Sequence, residues 1–307
     1  LEEWAFRLLY EVTGHYNYTI LASMGILVIL LGLVVMAWAT RRLIRTMIGV
    51  VMPGESDNLS DLIFSNLQLS KGPKVVVIGG GTGLSVMLRG LKAKTYNLTA
   101  VVTVADDGGS TGRIRQDLDI IAPGDLRNCL VALADKEGLM EKLFAHRFGG
   151  SGNLTGHSFG NLFIAALIEV LGDVEEAMDA TSKVLRVRGK VIPSSAEKLR
   201  LNAEMTDGRI VEGESQIPHA HGKIKRVFTT PEHPRAIQSA VDAIREADAI
   251  VLGPGSLYTS IMPNLCVPDI VQAVRTSKAP KIYICNVMTQ PGETDDYTVS
   301  DHIRAIH

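Results

Sequence analysis

The chain has 307 residues, 46% hydrophobic and 21% charged, which excludes an intrinsically disordered acidic or basic protein. With 31 Lys and Arg against 33 Asp and Glu, the net charge is −2, so no overall basic field draws it to nucleic acid. Three widely spaced cysteines, Cys129, Cys266 and Cys285, form no CxxC pair, which argues against a disulfide framework or a structural zinc site and for a reducing compartment. The chain opens at Leu1 and stops at His307, inside what reads as a helix from residue 299, and is therefore read as a piece of a longer protein.

Residues 18–39 carry no charge. A bilayer core needs ~20 apolar residues as helix, so this run can span one. Tyr18 and Trp38 stand near its ends, where interfacial aromatics belong. Arg41, Arg42 and Arg45 follow directly, whereas Glu2, Glu3 and Glu11 precede with only Arg7. The positive-inside rule puts residues 1–17 outside the cell and everything after Arg41 in the cytosol. A buried core helix would carry a polar face, and a signal peptide has a shorter apolar run with its basic residues on the other side. A single-pass membrane anchor is expected, followed by a basic juxtamembrane segment and linker over 40–73.

A soluble α/β pattern begins at Lys74 and is expected to form one nucleotide-binding domain over 74–307, incomplete at its C-terminus. Val75-Val76-Val77-Ile78, bounded by Pro73 and Gly79, reads as a strand buried on both faces. Helical spacing follows over 84–91, and a second strand runs over 98–104, completing a βαβ unit. Helices are predicted over 125–134, 138–147 and, as one long stretch, 158–187. Asp207-Gly208 marks a hairpin within 199–215. A helix over 235–246 and strands over 249–252 and 281–285 resume the parallel pattern. The predicted fold is a doubly wound, Rossmann-like parallel sheet with a small β insertion, preceded by one transmembrane helix.

Ligands bind such sheets beyond the carboxyl ends of the strands, and the glycine clusters stand there. Gly79-Gly80-Gly81-Thr82-Gly83 lets the backbone approach a diphosphate, with free N–H groups at the helix start. It is not a clean dinucleotide fingerprint, since Leu84 stands where the third glycine belongs, and no Lys-Ser/Thr follows as in a Walker loop. Asp106-Asp107-Gly108-Gly109-Ser110-Thr111-Gly112 follows the second strand. Its carboxylates could bond a ribose hydroxyl or hold magnesium against phosphates. In Pro123-Gly124-Asp125-Leu126-Arg127-Asn128, Asp125 reads as a helix cap and Arg127 as a phosphate ligand. Gly156-His157-Ser158-Phe159-Gly160-Asn161 opens another helix and offers a further anion-ready N-terminus. His157 and Ser158 are adjacent and lack a GxSxG context, so they make no catalytic triad. Gly253-Pro254-Gly255-Ser256-Leu257-Tyr258-Thr259-Ser260 is a second phosphate-type loop. His219, His221 and His233 read as solvated loop residues rather than zinc ligands.

These five motifs, in this order, resemble the bacterial gluconeogenesis-factor family (YvcK-like), itself related to 2-phospho-L-lactate transferase (CofD-like), an enzyme of deazaflavin coenzyme synthesis. The resemblance covers about residues 74–307. It implies a protein that binds UDP-sugars, chiefly UDP-N-acetylglucosamine, and is needed for cell shape and wall growth on gluconeogenic carbon sources. It implies nucleotide contacts from Gly80, Gly81, Thr82 and Gly83; from Asp106, Asp107, Gly108, Gly109, Ser110 and Thr111; from Arg127 and Asn161; and from Gly255, Ser256, Tyr258 and Thr259. Shorter soluble members lack the apolar helix, and the family's C-terminal portion lies beyond this chain. A UDP-sugar ligand with magnesium, a cell-wall synthesis partner and a homo-oligomer are expected, with no catalytic residue assigned. The rivals are a magnesium-dependent transferase of the phospholactate type, using Asp106 and Asp107 as metal ligands, and a dinucleotide-dependent oxidoreductase.

Overall fold

The computed structural model describes residues 7, 10, 11, 18–51, 66–135 and 138–307. Most of the expected extracytoplasmic segment and the turn residues at 53–58 lie outside the described residues. The chain divides into two compact units, Leu1–Asn66 and Leu67–His307.

In the first unit, helix α1 spans Tyr18–Val51. At ~1.5 Å per residue it exceeds the ~30 Å apolar core of a bilayer. Its segment Ala22–Ile44 has a mean hydropathy of 2.4, and its large apolar side chains are exposed. A water-exposed apolar helix of this length is unfavourable in solution, which makes α1 a candidate for a membrane span.

The second unit is built on a five-stranded parallel sheet ordered β3-β2-β1-β7-β8. Strand β1 (Val75–Gly79) lies at its centre, paired with β2 (Leu98–Val102) on one side and β7 (Ala249–Leu252) on the other. Helix α2 (Gly81–Leu91) makes the first crossover. Val77, Ile78, Val101, Leu84 and Leu88 are all fully buried, because helices cover the central strands of the sheet. Each such side chain contributes ~1.5–3 kcal/mol of burial. The chain leaves β1 toward β2 on one side and returns to pair as β7 on the other. The strand order therefore reverses at β1/β7, where open α/β sheets form their ligand crevice.

Three helices fill the segment after β2: α3 (Gly109–Leu118), α4 (Gly124–Leu133) and α5 (Gly138–Ala145). The predicted single helix over 158–187 is two, α6 (Phe159–Leu171) and α7 (Val174–Leu185). Gly172, at φ 70°, ends α6 in the left-handed conformation, and Asp173 caps α7 by accepting from the Glu176 N–H at 2.8 Å. Apolar periodicity runs through this break, so only the Gly-Asp pair marked it.

Strand β3 (Lys190–Pro193), on the sheet edge, was not among the predicted elements. The insertion is a three-stranded antiparallel sheet, β5-β4-β6, larger than the predicted hairpin. Strands β4 (Arg200–Met205) and β5 (Ile210–Glu212) form that hairpin, and β6 (Ile224–Thr230) pairs along the other side of β4. A 3-10 segment, Glu214–His219, links β5 to β6. Helix α8 (Gln238–Arg245) precedes β7, α9 (Pro268–Thr276) precedes β8 (Lys281–Tyr283), and α10 (Val299–Ile306) follows. Helix α9 was also missed.

Candidate functional site

The loops following β1 and β7 meet at the reversal point. Gly253 N donates to the Ile78 carbonyl at 2.9 Å, and a Cβ on Gly83 would come within 2.9 Å of the Pro254 carbonyl oxygen. Helix α2 can therefore start against the second loop only because Gly83 has no side chain. Gly81 differs. Its φ is 70°, and a Cβ there would meet only the Ser260 hydroxyl, at 3.5 Å. This first residue of α2 thus faces open space at the start of the helix, where backbone N–H groups have no partner within the helix. Thr82 and Gly83 complete that first turn, and the Thr82 carbonyl accepts from the Ser85 hydroxyl at 2.8 Å.

Carboxyl groups surround this opening. Asp125, in the first turn of α4, does not cap its own helix as the sequence suggested. The helix cap is Pro123, and the Asp125 carboxylate instead accepts from the Gly81 N–H. Burial, together with the charge of Asp106, pushes its pKa up to about 7. Asp106 accepts from the Gly108 N–H at 2.9 Å and from the Thr111 hydroxyl, and burial raises its pKa. Gly124 makes room for it, since a Cβ there would lie 2.9 Å from Asp106 Oδ2.

Asp107 turns away from Asp106. Its Oδ1 accepts from the Ser215 N–H at 2.8 Å, tying the 3-10 segment of the insertion to the β2 loop. The two carboxylates thus hold different partners. Among the described residues no group of three or more His, Cys, Asp or Glu side chains stands close enough to hold a metal unaided. Magnesium commonly takes one or two carboxylates and completes its shell with phosphate oxygens and water, a pattern Asp106 and Asp125 fit.

Two further carboxyl groups escaped sequence analysis. Burial and then the charges of Asp106, Asp125, Asp107 and Glu293 push Glu214 up to about 8. Glu293 is buried, raised by that burial, and accepts from Thr259 Oγ1 at 3.2 Å and Gln290 Nε2 at 3.0 Å. No local pattern marks either residue. Both come to the site by tertiary folding from segments that read as loop.

The second glycine loop is engaged by the same distant segment. Ser256 Oγ accepts from Gln290 Nε2 at 2.7 Å, and the Gly255 carbonyl accepts from Asn286 Nδ2 at 3.0 Å. The buried Tyr258 hydroxyl lies 2.7 Å from that of Tyr297. Tyr258 and Thr259 are thus already bonded within the fold, unlike the open Gly81 corner.

A basic flank faces the carboxylates. Helix α3 begins at Gly109, so Ser110 and Thr111 lie in its first turn. Ser110 Oγ lies 3.3 Å from His157 Nδ1 and accepts from the Ser158 N–H at 3.3 Å and from Asn161 Nδ2 at 3.4 Å. With both lone pairs engaged, this serine is a structural knot at the start of α6 and not a nucleophile. Arg113 donates to the Thr155 carbonyl at 2.9 Å and Arg147 to the Gly156 carbonyl at 3.0 Å. Arg127 is half-buried, and its charge is opposed by Arg147 and favoured by Asp125 and Asp106. Asn161 Oδ1 is buried with no partner among the described residues. The structure therefore gathers Gly80, Gly81, Asp106, Asp125 and Arg127, while Asp107, Tyr258 and Thr259 serve chiefly to fasten neighbouring segments.

The chain is similar to known proteins over most of its length. The family profile of 2-phospho-L-lactate transferase CofD matches residues 75–307. A gluconeogenesis factor of Halalkalibacterium halodurans is 58% identical over 236 residues, covering 77% of this chain and 73% of the relative. The chain belongs to the gluconeogenesis-factor family. The Bacillus subtilis gluconeogenesis factor is 57% identical over 76% of this chain and 74% of its own length. A putative gluconeogenesis factor of Nostoc is 56% identical over 282 residues, 92% of this chain. A match that long necessarily includes the second half of α1. The chain spans 62% of the length of that relative. The crystal structure of protein BH3568 from Bacillus halodurans superposes with a TM-score of 0.75 at 58% identity, covering 77% of this chain and 76% of the other.

Proposed function

We propose that the Leu67–His307 unit binds a UDP-sugar, UDP-N-acetylglucosamine in particular, and acts as a regulator of cell shape and wall growth under gluconeogenic conditions. The observation that carries this reading is the Gly81 corner. A left-handed glycine opens the first turn of α2 toward empty space at the switch point of a parallel sheet. There the helix start can receive a diphosphate, Arg127 supplies a cation, and Asp106 or Asp125 can accept from sugar hydroxyls or share a magnesium ion with the phosphates. The other expected nucleotide contacts, from Asp107 to Thr111, Asn161 and Gly255 to Thr259, line or brace this corner in the same reading.

In this proposal α1 anchors the protein in the cell membrane, with the nucleotide-binding unit in the cytoplasm. The uncharged run, the arginines after it and the presence of its second half in the Nostoc relative support the anchor. A cell-wall synthesis enzyme as regulated partner and a homo-oligomer belong to the same proposal. Native mass spectrometry of the detergent-purified full chain tests the ligand: a co-purified UDP-sugar is expected, and a bare protein that also fails to take up added UDP-N-acetylglucosamine contradicts the reading.

A second reading, a magnesium-dependent transferase of the phospholactate type, is favoured by the raised carboxyl groups of Asp125 and Glu214, since such groups gather at catalytic sites. It requires magnesium-dependent turnover that Asp125→Asn abolishes while nucleotide binding survives.

A further inference from the structure

The second glycine loop carries a hydroxyl that the fold leaves free. Ser256 accepts from Gln290, Thr259 donates to Glu293, and the Tyr258 hydroxyl lies against that of Tyr297. Ser260 is 9% exposed, and its hydroxyl has no hydrogen-bond partner among the described residues. Unlike Asn161 Oδ1 and Asn264 Oδ1, which are unpartnered and sealed from solvent, it keeps some accessible surface. Ser260 is not one of the nucleotide contacts that the family resemblance implies.

Its position is fixed from behind. The Ser260 and Ile261 N–H groups both donate to the Ser256 carbonyl, at 3.0 and 3.1 Å, which makes residues 257–261 a π turn. Under this turn lies Asn264, fully buried. Its Nδ2 donates to the Ser260 carbonyl at 2.9 Å and to the Gly79 carbonyl, at the end of β1, at 3.1 Å. One side chain therefore ties Ser260 to the strand that delivers Gly81. The hydroxyl ends 3.5 Å from where a Gly81 Cβ would stand, and outside the adjoining backbone no other atom lies within 4 Å of that point.

A guest seated at the start of α2 is offered donors. Thr82 and Gly83 carry N–H groups without a partner one turn back, and Ser260 adds an O–H beside them. Such a set suits a guest with several lone pairs and a negative charge, as a phosphate has. Asp125, bonded to the Gly81 N–H, does not exclude it, since a pKa of about 7 lets this carboxyl take up a proton near neutrality.

We propose that Ser260 is a direct phosphate contact of the Gly81 corner, its hydroxyl donating to a phosphate oxygen of the bound diphosphate. This deepens the nucleotide reading and rests on its diphosphate part alone.

Titration calorimetry of the detergent-purified full chain with UDP-N-acetylglucosamine, UDP and pyrophosphate, beside melting of the ligand-free chain, tests it. Ser260→Ala removes a hydroxyl that bonds nothing in the fold. The ligand-free Tm should therefore stay unchanged while affinity falls about tenfold or more for each probe the wild type binds. Ser260→Cys, close in size but a poor donor, should lose almost as much and keeps the test open if Ser260→Ala does not fold. Wild-type affinity in either folded variant, or a Tm that falls in Ser260→Ala, overturns the assignment and leaves nucleotide binding standing. Ser260-dependent binding of UDP or pyrophosphate without any of UDP-N-acetylglucosamine overturns the nucleotide-sugar reading and keeps the assignment. A wild-type chain that binds none of the three overturns both.

Discussion

Glu204 and Glu214 belong to the same insertion, and their carboxyl groups are held in opposite conditions. On β4, hydrogen bonds from the exposed Lys225 and Arg226 at 2.6 Å hold Glu204 below the usual carboxylate range. Glu214, in the 3-10 segment that meets the β2 loop, is pushed up to about 8 by burial among Asp106, Asp125, Asp107 and Glu293. Residue type is the same, so the difference comes from solvent and neighbours. The outer sheet neutralises its charges pairwise in water. The switch point instead concentrates carboxyl groups where water is scarce, an arrangement that a bound cation or ligand hydroxyls would relieve.

Substitutions at two left-handed glycines should break the comparison most sharply. Gly81→Val should weaken nucleotide binding by at least about 100-fold in calorimetry, because a β-branched side chain opposes φ 70° and fills the approach to the helix start. Gly208, in the hairpin turn, has φ 88° and open space where its Cβ would stand. Gly208→Val should lower thermal stability and leave nucleotide affinity unchanged. Equal losses of affinity in the two variants would remove the distinction between cradle and turn.

Asp107→Ala is the next largest. It removes the acceptor of the Ser215 N–H, a charge-assisted bond that ties the insertion to the cradle, and should cost ~1.5–3 kcal/mol by urea denaturation. Asp107→Asn, which keeps an amide oxygen at that place, should recover most of the loss. If the carboxylate acts mainly as a magnesium ligand, Asn should instead behave like Ala when binding is measured with magnesium.

The carboxyl cluster predicts a pH dependence of definite sign. Glu214 rises from 4.5 to about 8 and Asp125 from 3.8 to about 7, so across these intervals the native state holds more protons than the unfolded chain. Stability contributed by the neutral carboxyl groups is full below about pH 4 and is lost as pH rises toward 8. Glu214→Gln should flatten that slope and raise Tm by ~2–4 °C at pH 8.5, read from melting curves between pH 5 and 9. An unchanged slope would show that Glu214 titrates normally. The smallest effect belongs to Glu204→Gln, whose exposed pairs should give a slight fall in Tm that disappears at high salt.

What the sequence made legible follows the same division. Short apolar runs bounded by glycine and proline disclosed β1, β2 and β7, because strands buried on both faces need no alternation. Glycine clusters after those strands disclosed where the two loops meet, because close backbone approach admits no other residue at Gly83. Turn chemistry disclosed the β4–β5 hairpin. Strand β3 stayed hidden because only four residues, ending in Pro193, carry it. Strand β6 breaks its alternation at the exposed pair Lys225 and Arg226 and lacks a tight turn to announce it. Asp125 looked like a cap because Asp in a first helical turn ordinarily is one, and only its bond to the Gly81 N–H shows its other role. Glu214 and Glu293 reach the site from segments remote in sequence, which no local pattern encodes.

Titration calorimetry of the detergent-solubilised full chain with UDP-N-acetylglucosamine, with and without magnesium and followed by chromatography of the mixture, tests the central claim most directly. The account predicts saturable one-to-one binding, absent in Gly81→Val, with the nucleotide sugar recovered intact. Absence of binding in the wild-type chain, equal binding in a folded Gly81→Val chain, or release of UDP that depends on Asp125 would contradict it.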